Sequence, residues 1–335
     1  MNKGDMRIAV ATHSGFLELI ILPTENCNFR CTYCYEDFQI GKMSPEIVSG
    51  IKKLIEHRLP KLKVFKLNWF GGEPLLAKDQ VLDVSQYAKS ACEEAGVRFA
   101  PGHITTNGYM LDIKTLQRLV DAGQTHYQIS LDGFQEGHDT TRKLQSGKGT
   151  FEKIWNNLKA AKESNLDFNV VIRLHLTADN LESAERLAQE IDSEFGRDSR
   201  FTVFIKPIGN YGKDAGGVAL LKGEAANSAI SNIEMALNKQ SHGDDEQYIC
   251  YASKPNSLVI RANGNIAKCT VALYDEKNTV GRLNEDGTVQ IFGEKMAYWM
   301  RGISEQDWDI LSCPSYLRSY EKPAEKKIIE IKSVA

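Results

Sequence analysis

Cys27, Cys31 and Cys34 lie within eight residues of one another, in the stretch NCNFRCTYCYED at positions 26–37. Three thiolates so close together can hold one metal centre, and three is one short of a closed tetrahedral sulfur site. A cubane iron–sulfur cluster takes four ligands, so a loop supplying three leaves one iron open to an outside molecule. The CxxxCxxC spacing differs from the CxxC pairs of a zinc ribbon, and no histidine lies inside or beside the loop. Cysteine is also a common core residue, but a core would not need Asn, Arg and Thr threaded between its cysteines, with Asp37 just after them. The remaining four of the seven cysteines are Cys92, Cys250, Cys269 and Cys313. An odd number with a tight triplet argues against a secreted disulfide scaffold and for oxygen-labile metal ligation in a reducing cytoplasm.

Such a loop needs a rigid frame, and the chain alternates short β-rich runs with longer amphipathic ones. The spacing predicts strands over Phe16–Leu22, Val64–Asn68, Phe99–Thr106, Thr125–Leu131, Phe168–Leu174 and Phe201–Lys206. Between them it predicts helices from Ser44 and Pro45 to about His57, over Lys78–Ala95, Asp112–Ala122, Phe151–Ser164 and Leu181–Ile191, with Gly96 and Gly123 as stops. A run of βα units is most simply a parallel sheet with helical crossovers. Six strands fall two short of a closed eight-stranded barrel, so the expected fold is α/β, an open partial (β/α)6 barrel. The polar residues agree with that frame. The cysteine loop, Gly71 to Pro74, Asn107, Ser130 with Asp132, and Lys206 all fall at or just past strand C-terminal ends, the edge that carries barrel active sites.

Past Phe204 the character changes. A glycine-rich bend runs through Gly217, a helical segment covers about Glu224 to Lys239, and the polar SHGDDEQ precedes Cys250. Leu258 to Cys269 reads as a hairpin turning at Asn263-Gly264, with a similar turn at Glu285-Asp286-Gly287. Two small hairpins bury little apolar area, so a covalent or metal staple is expected. The division is a 1–16 extension, a 17–240 barrel, a 241–320 auxiliary domain and a 321–335 tail.

The cysteine triplet, with an aromatic residue, Tyr33, before its last member, resembles the signature of the radical S-adenosylmethionine (SAM) superfamily. Gly71-Gly72-Glu73-Pro74 after the second strand resembles that family's motif for the amino group of SAM's methionine moiety. The resemblance implies a TIM-like partial barrel with a [4Fe-4S] cluster on Cys27, Cys31 and Cys34 that binds SAM at its open iron. It carries Ser130 and Arg142 over as contacts to the methionine carboxylate or ribose, Asn107 as a polar wall, and Tyr33 as an adenine contact through its backbone. An arginine beside a carboxylate gains bidentate, charge-assisted bonding, which supports Arg142. Cys250, fourteen residues before Gly264, and Cys269, five after it, are similar to the opening pattern of SPASM and twitch auxiliary-cluster domains. The later dense cysteine set of a full SPASM domain is absent, and only Cys313, beside Pro314, remains. One auxiliary iron–sulfur cluster, a [4Fe-4S], is therefore expected on Cys250, Cys269 and Cys313, its fourth ligand unassigned; Cys92 reads as an ordinary core or surface thiol.

The resemblance to radical SAM enzymes with such auxiliary domains implies a peptide maturase. The enzyme would abstract a hydrogen from a ribosomally made precursor peptide and install a cross-link, while an auxiliary cluster takes the surplus electron. An external donor such as flavodoxin or ferredoxin would supply reducing electrons. Only about 16 residues precede the first strand, too few for a peptide-recognition domain, so the leader would bind the barrel, the C-terminal module or a separate leader-binding protein. Alternatives are a protein side-chain oxidase similar to anaerobic sulfatase maturation, a peptide epimerase, and a non-catalytic iron–sulfur electron-transfer protein. Electron storage alone does not require a SAM cradle. No residue is assigned as catalytic acid or base; Asp132, Lys206 and Tyr211 are polar groups in the right neighbourhood. The composition, 42% hydrophobic and 25% charged, is that of an ordinary globular protein. A net charge of -3 gives no support to a nucleic-acid or membrane partner. No segment approaches the roughly 20 apolar residues that span a bilayer.

Overall fold

The apolar runs of the sequence become strands of one open sheet in the computed structural model, which describes residues 3–209, 217–237 and 247–315 and a strand at 327–330. α1 (Lys3–Ala11) leads into β1 (Phe16–Ile21), and the cysteine loop follows. Then come α2 (Pro45–Arg58), β2 (Val64–Trp69), α3 (Lys78–Glu94), β3 (Arg98–Ala100), β4 (Gly102–Thr106), α4 (Ile113–Asp121), β5 (Gln124–Leu131) and α5 (Gln135–Thr141). They are followed by α6 (Phe151–Lys162), β6 (Asn169–Leu176), α7 (Leu181–Phe195), β7 (Phe201–Pro207) and α8 (Gly223–Ala236). The C-terminal part holds β8 (Ser257–Ile260), β9 (Asn265–Ala267), β10 (Thr279–Leu283), β11 (Val289–Ile291), α9 (Gly293–Glu305), α10 (Trp308–Ser312) and β12 (Lys327–Glu330).

β1, β2, β4, β5, β6 and β7 lie side by side and parallel, in chain order, as expected of a partial (β/α)6 barrel. The sheet does not close on itself. β12 pairs antiparallel with β7 at one end, and β8 adds in parallel to β1 at the other, followed by the antiparallel strands β9, β10 and β11. The Asn263-Gly264 hairpin thus continues the barrel's own sheet.

Alternation along the strands sets the two faces of this sheet. Tyr127, Ile129 and Leu131 of β5 and Val170, Ile172 and Leu174 of β6 are at most 1% exposed and belong to the helix-packed core. Burying each such side chain contributes roughly 1.5–3 kcal/mol, so this face fixes strand register. Gln128, Ser130 and Arg173, between them, are half-buried on the opposite face. That face is left for chemistry.

The structure differs from the sequence reading in several elements. The expected strand Phe99–Thr106 is broken at Pro101, which has no N–H for the ladder, into β3 and β4. Short helices, α1 and α5, occupy the expected extension and polar connection, and two further helices, α9 and α10, follow the second hairpin turn. Gly302 lets α9 and α10 approach, because a Cβ there would stand 3.0 Å from Ile310 Cγ2. Tyr211, Lys239, the expected boundary at 240/241 and residues 321–326 and 331–335 of the tail lie outside the described residues. No helix among the described residues is long and apolar enough to cross a membrane.

Candidate active site

The loop after β1 is held by backbone bonds to the last residue of α5 and the segment after it. Arg30 N–H donates to Lys143 O at 2.8 Å, Thr32 N–H to Thr141 O at 3.0 Å, and Gln145 N–H to Asn28 O at 2.9 Å. Cys34 N–H donates to Cys31 O at 3.1 Å, which coils the triplet. Cys27, Cys31 and Cys34 all line one cavity. Burial pushes the Cys27 thiol up to about 12, with the Glu73 charge adding. Burial also pushes Cys31 up to about 11, against the pull of Arg142. Buried thiols of this kind ionise when a metal takes the proton's place. Among the described residues no trio of His, Cys, Asp and Glu is set to hold a single metal ion. A cubane cluster asks something different, since each cysteine binds its own iron, and three half-buried thiols around one cavity suit that donor set.

The glycine loop after β2 packs on the entry to the cysteine loop. A Cβ on Gly71, whose φ is 126°, would stand 2.3 Å from Thr24 O, and one on Gly72 would stand 2.5 Å from Asn26 O. Only glycine permits that approach. Gly72 N–H donates to Thr24 O and Glu73 N–H to Asn26 O, at 3.3 and 2.9 Å. Glu73 is fully buried. Its Oε1 accepts from Leu75 N–H at 2.9 Å and Thr106 Oγ1 at 2.8 Å, and its Oε2 from Asn107 N–H at 2.7 Å. The carboxylate therefore ties two strand-end loops together. Pro74 opens the short 3₁₀ turn behind it. Of the four motif residues, Gly71 and Gly72 line the cavity, whereas Glu73 and Pro74 support it. Asn107 also lines it, and its Nδ2 donates to Asn28 Oδ1 at 2.8 Å and toward Cys27 Sγ at 3.9 Å.

Opposite the glycine loop lies a buried polar network. The Tyr33 hydroxyl lies 2.6 Å from Asp132 Oδ2 and accepts from Arg142 Nη1 at 2.9 Å. Thr141 Oγ1 donates to Asp132 Oδ2 at 2.7 Å, and His175 Nδ1 meets Asp132 Oδ1 at 3.1 Å. Burial alone would raise the Asp132 carboxyl, but the His175 hydrogen bond and the Arg142 charge hold it well below the usual carboxylate range. Burial pushes His175 down to about 4 despite that carboxylate, so the imidazole is neutral and donates through Nδ1. Arg142 is 7% exposed, and its Nε has no hydrogen-bond partner among the described residues. Ser130 lines the cavity beside this network. Tyr33 is thus held by its side chain; Asp132 lies behind the cavity wall, and Lys206 is on β7 outside the lining.

Glu36, Thr105, Gln128, Arg173 and His175 line the same cavity and were not singled out from the sequence. A signal for most of them was present. Thr105 and Asn107, Gln128 and Ser130, and Arg173 and His175 are polar pairs two apart at the ends of three successive strands, hence on one face. The free space of the cavity, counted out through its open mouth, is about 1020 Å³.

The histidines yield a pH prediction. His138 Nδ1 accepts from Asp132 N–H at 3.3 Å, which leaves Nε2–H for Thr150 Oγ1 at 3.0 Å, and Thr150 Oγ1 donates to Arg142 O at 2.7 Å. Burial pushes His138 down to about 4, and His103 likewise. Groups with lowered folded values bind fewer protons than the unfolded chain, whose histidines titrate near 6.5, so stability is lost as pH falls. Thermal melting followed by circular dichroism is expected to drop steadily from about pH 6.5 to about pH 4. A melting temperature flat across that window would contradict the neutral-histidine assignment.

The three C-terminal cysteines are also brought together. Cys250 N–H donates to Leu311 O at 2.8 Å, which sets it near Cys313, and Cys269 N–H donates to Asn278 Oδ1 at 2.9 Å. Burial pushes the Cys269 thiol up to about 11, and charge on Cys250 and Cys313 adds to the rise. Cys92 lies apart on α3, fully buried in the core.

A family model described as "Radical SAM superfamily" matches residues 21–191. GTP 3',8-cyclase of Microcystis aeruginosa is 32% identical over 196 residues, 56% of this chain and 55% of that protein. The chain spans about half the length, or less, of the first curated relatives it matches. Among solved structures, anSMEcpe with bound AdoMet and Cp18Cys peptide aligns with a TM-score of 0.63 at 17% identity, covering 89% of this chain and 83% of that one. SuiB of Streptococcus suis bound to precursor peptide SuiA aligns with a TM-score of 0.55 at 16% identity, covering 96% and 77%. At these identities the solved structures show a shared fold.

Proposed function

The chain belongs to the radical SAM superfamily, a family of enzymes, and from that premise we propose that it is a peptide maturase that oxidatively cross-links a ribosomally made precursor peptide. The observation that carries this reading is the single cavity that joins Cys27, Cys31 and Cys34 to the glycine loop and to Arg142. A [4Fe-4S] cluster on those cysteines, with SAM at its open iron, supplies a hydrogen-abstracting radical. The protein's own residues supply position. Arg142, anchored through Nη1 on Tyr33, has an unpartnered Nε, and a buried guanidinium with a spare donor suits a carboxylate such as that of SAM's methionine moiety. Tyr33 is fixed by Asp132, so its backbone can stand as an adenine contact, while Ser130 and Asn107 are hydroxyl and amide groups at the cavity wall. With Gly72 and Glu73 N–H groups turned toward the cysteine loop, the glycine loop is suited to offer carbonyl acceptors to an amino group. A second iron–sulfur cluster on Cys250, Cys269 and Cys313 would take the electron that completes a two-hydrogen oxidation.

Peptide substrates are supported by the fold shared with anSMEcpe and SuiB, each solved with a bound peptide. Reducing electrons would come from a flavodoxin or ferredoxin, and the leader would bind the barrel, the C-terminal module or a separate protein. Co-expression of the enzyme with each short peptide encoded beside its gene, read by intact mass and fragmentation, tests the proposal. A loss of two hydrogens localised between two residues is the expected result. The same loss at one serine or cysteine would replace cross-linking by side-chain oxidation. Turnover of a nucleotide, with no peptide modified, would reject the substrate class.

A further inference from the structure

Tyr35, Tyr251 and Thr270 each follow a cysteine directly, namely Cys34, Cys250 and Cys269. The fold joins these three residues into one hydrogen-bonded chain. The Tyr35 hydroxyl donates to Thr270 O at 3.1 Å. The Thr270 N–H donates to the Tyr251 hydroxyl at 2.9 Å, and the Tyr251 and Thr270 hydroxyls meet at 2.8 Å. The path from Cys34 to Cys269 is therefore covalent except at one hydrogen bond. Both tyrosine rings pack on a small apolar cluster of Ile20, Leu22, Val259, Ala267 and Leu273, so a low-dielectric layer surrounds the bridge. Two further contacts span the same gap: Asp37 N–H donates to the Tyr274 hydroxyl at 2.8 Å, and Arg261 pairs with Glu25. Neither starts beside a cysteine. Tyr35 also lines the cavity.

We propose that Tyr35 is a positioning residue that couples the two cysteine sets, so that a change in the iron–sulfur state of one set is felt at the other. The inference rests on the two-cluster reading above. It assigns to the Tyr35 hydroxyl a role that the ring's packing alone would not have. Tyr35→Phe keeps the ring on its apolar cluster and deletes only the donor.

The test uses the full chain, reconstituted anaerobically with iron and sulfide and reduced with dithionite. With Tyr35 present, Cys269→Ala is expected to shift the electron paramagnetic resonance spectrum and midpoint potential of the cluster on Cys27, Cys31 and Cys34. In the Tyr35→Phe background that shift is lost, while Tyr35→Phe alone keeps the parent's iron content and a cooperative melt of the metal-free protein. This is a double-mutant cycle, and the difference between the two shifts is the coupling. Tyr251→Phe, which removes the hydroxyl that holds Thr270, is expected to reduce the same shift and serves if Tyr35→Phe does not fold. A shift of equal size with and without the hydroxyls would overturn the proposal and leave through-space electrostatics as the cause. Iron sufficient for only one cluster in the parent would defeat the two-cluster reading and this inference with it. Iron analysis of the parent separates that failure from the other.

Discussion

Anaerobically reconstituted protein is expected to lose roughly half its iron when Cys27, Cys31 and Cys34 are replaced together by alanine, because three ligands of one of two clusters are removed. Its formation of 5'-deoxyadenosine from SAM is expected to fall to background. The two readings come from one geometry. The three thiols line the cavity that also holds the glycine loop and Arg142, whereas Cys250, before β8, and Cys269 and Cys313, after β9, are outside its lining and are left untouched. Cys31→Ala alone is expected to abolish nucleoside formation, since three cysteine ligands are the fewest that leave one iron open. The expected loss is total because the chain's own residues around the cavity offer position and charge but no substitute for the missing chemistry. Unchanged nucleoside formation by the triple variant would disprove the assignment of the catalytic cluster. Loss of all the iron would mean that the C-terminal set holds none by itself.

What the sequence showed of this site followed from local spacing. The cysteine triplet, the glycine motif and the polar residues at strand ends are each written within a few residues, and their common edge follows once the βα alternation is read. Contacts between residues far apart in sequence were not legible in the same way. Tyr35 lies 235 residues from Thr270 and Glu25 lies 236 from Arg261, and no local pattern marks either pair. His175 stood one residue beyond the strand expected to end at Leu174, so it read as loop, although its pairing two positions from Arg173 marks it as facing the cavity. Glu73 shows a different limit. Its place in the motif was visible, but its carboxylate serves Leu75, Thr106 and Asn107 behind the wall, because a buried carboxylate must find donors wherever the fold supplies them. The parallel addition of β8 to β1 was likewise hidden, since a hairpin's sequence specifies its own turn and not the strand beside it.

Arg261→Met is expected to destabilise the protein by about 3–5 kcal/mol, the usual cost of removing one partner from a buried ion pair. Arg261 Nε and Nη2 donate to the two oxygens of Glu25 at 3.0 and 2.6 Å, and the side chains are only 8% and 2% exposed. Nη1 also donates to Leu273 O at 2.8 Å, so the substitution leaves a carboxylate and a carbonyl without their donors. The damage would reach the cysteine loop, because Glu25 lies two residues before Cys27 and its carbonyl neighbour Asn26 O receives Glu73 N–H. A fall in denaturant midpoint, together with weaker iron retention at Cys27, Cys31 and Cys34 in protein also lacking Cys250, Cys269 and Cys313, is the expected pair of results. Glu25→Leu combined with Arg261→Met is expected to recover most of the lost stability, since an apolar pair of similar size removes the stranded charge. Recovery of stability without recovery of iron would show that the bidentate geometry, rather than mere neutrality, sets the loop. If Arg261→Met costs less than about 1 kcal/mol, the pair behaves as a solvated one and does not brace the loop.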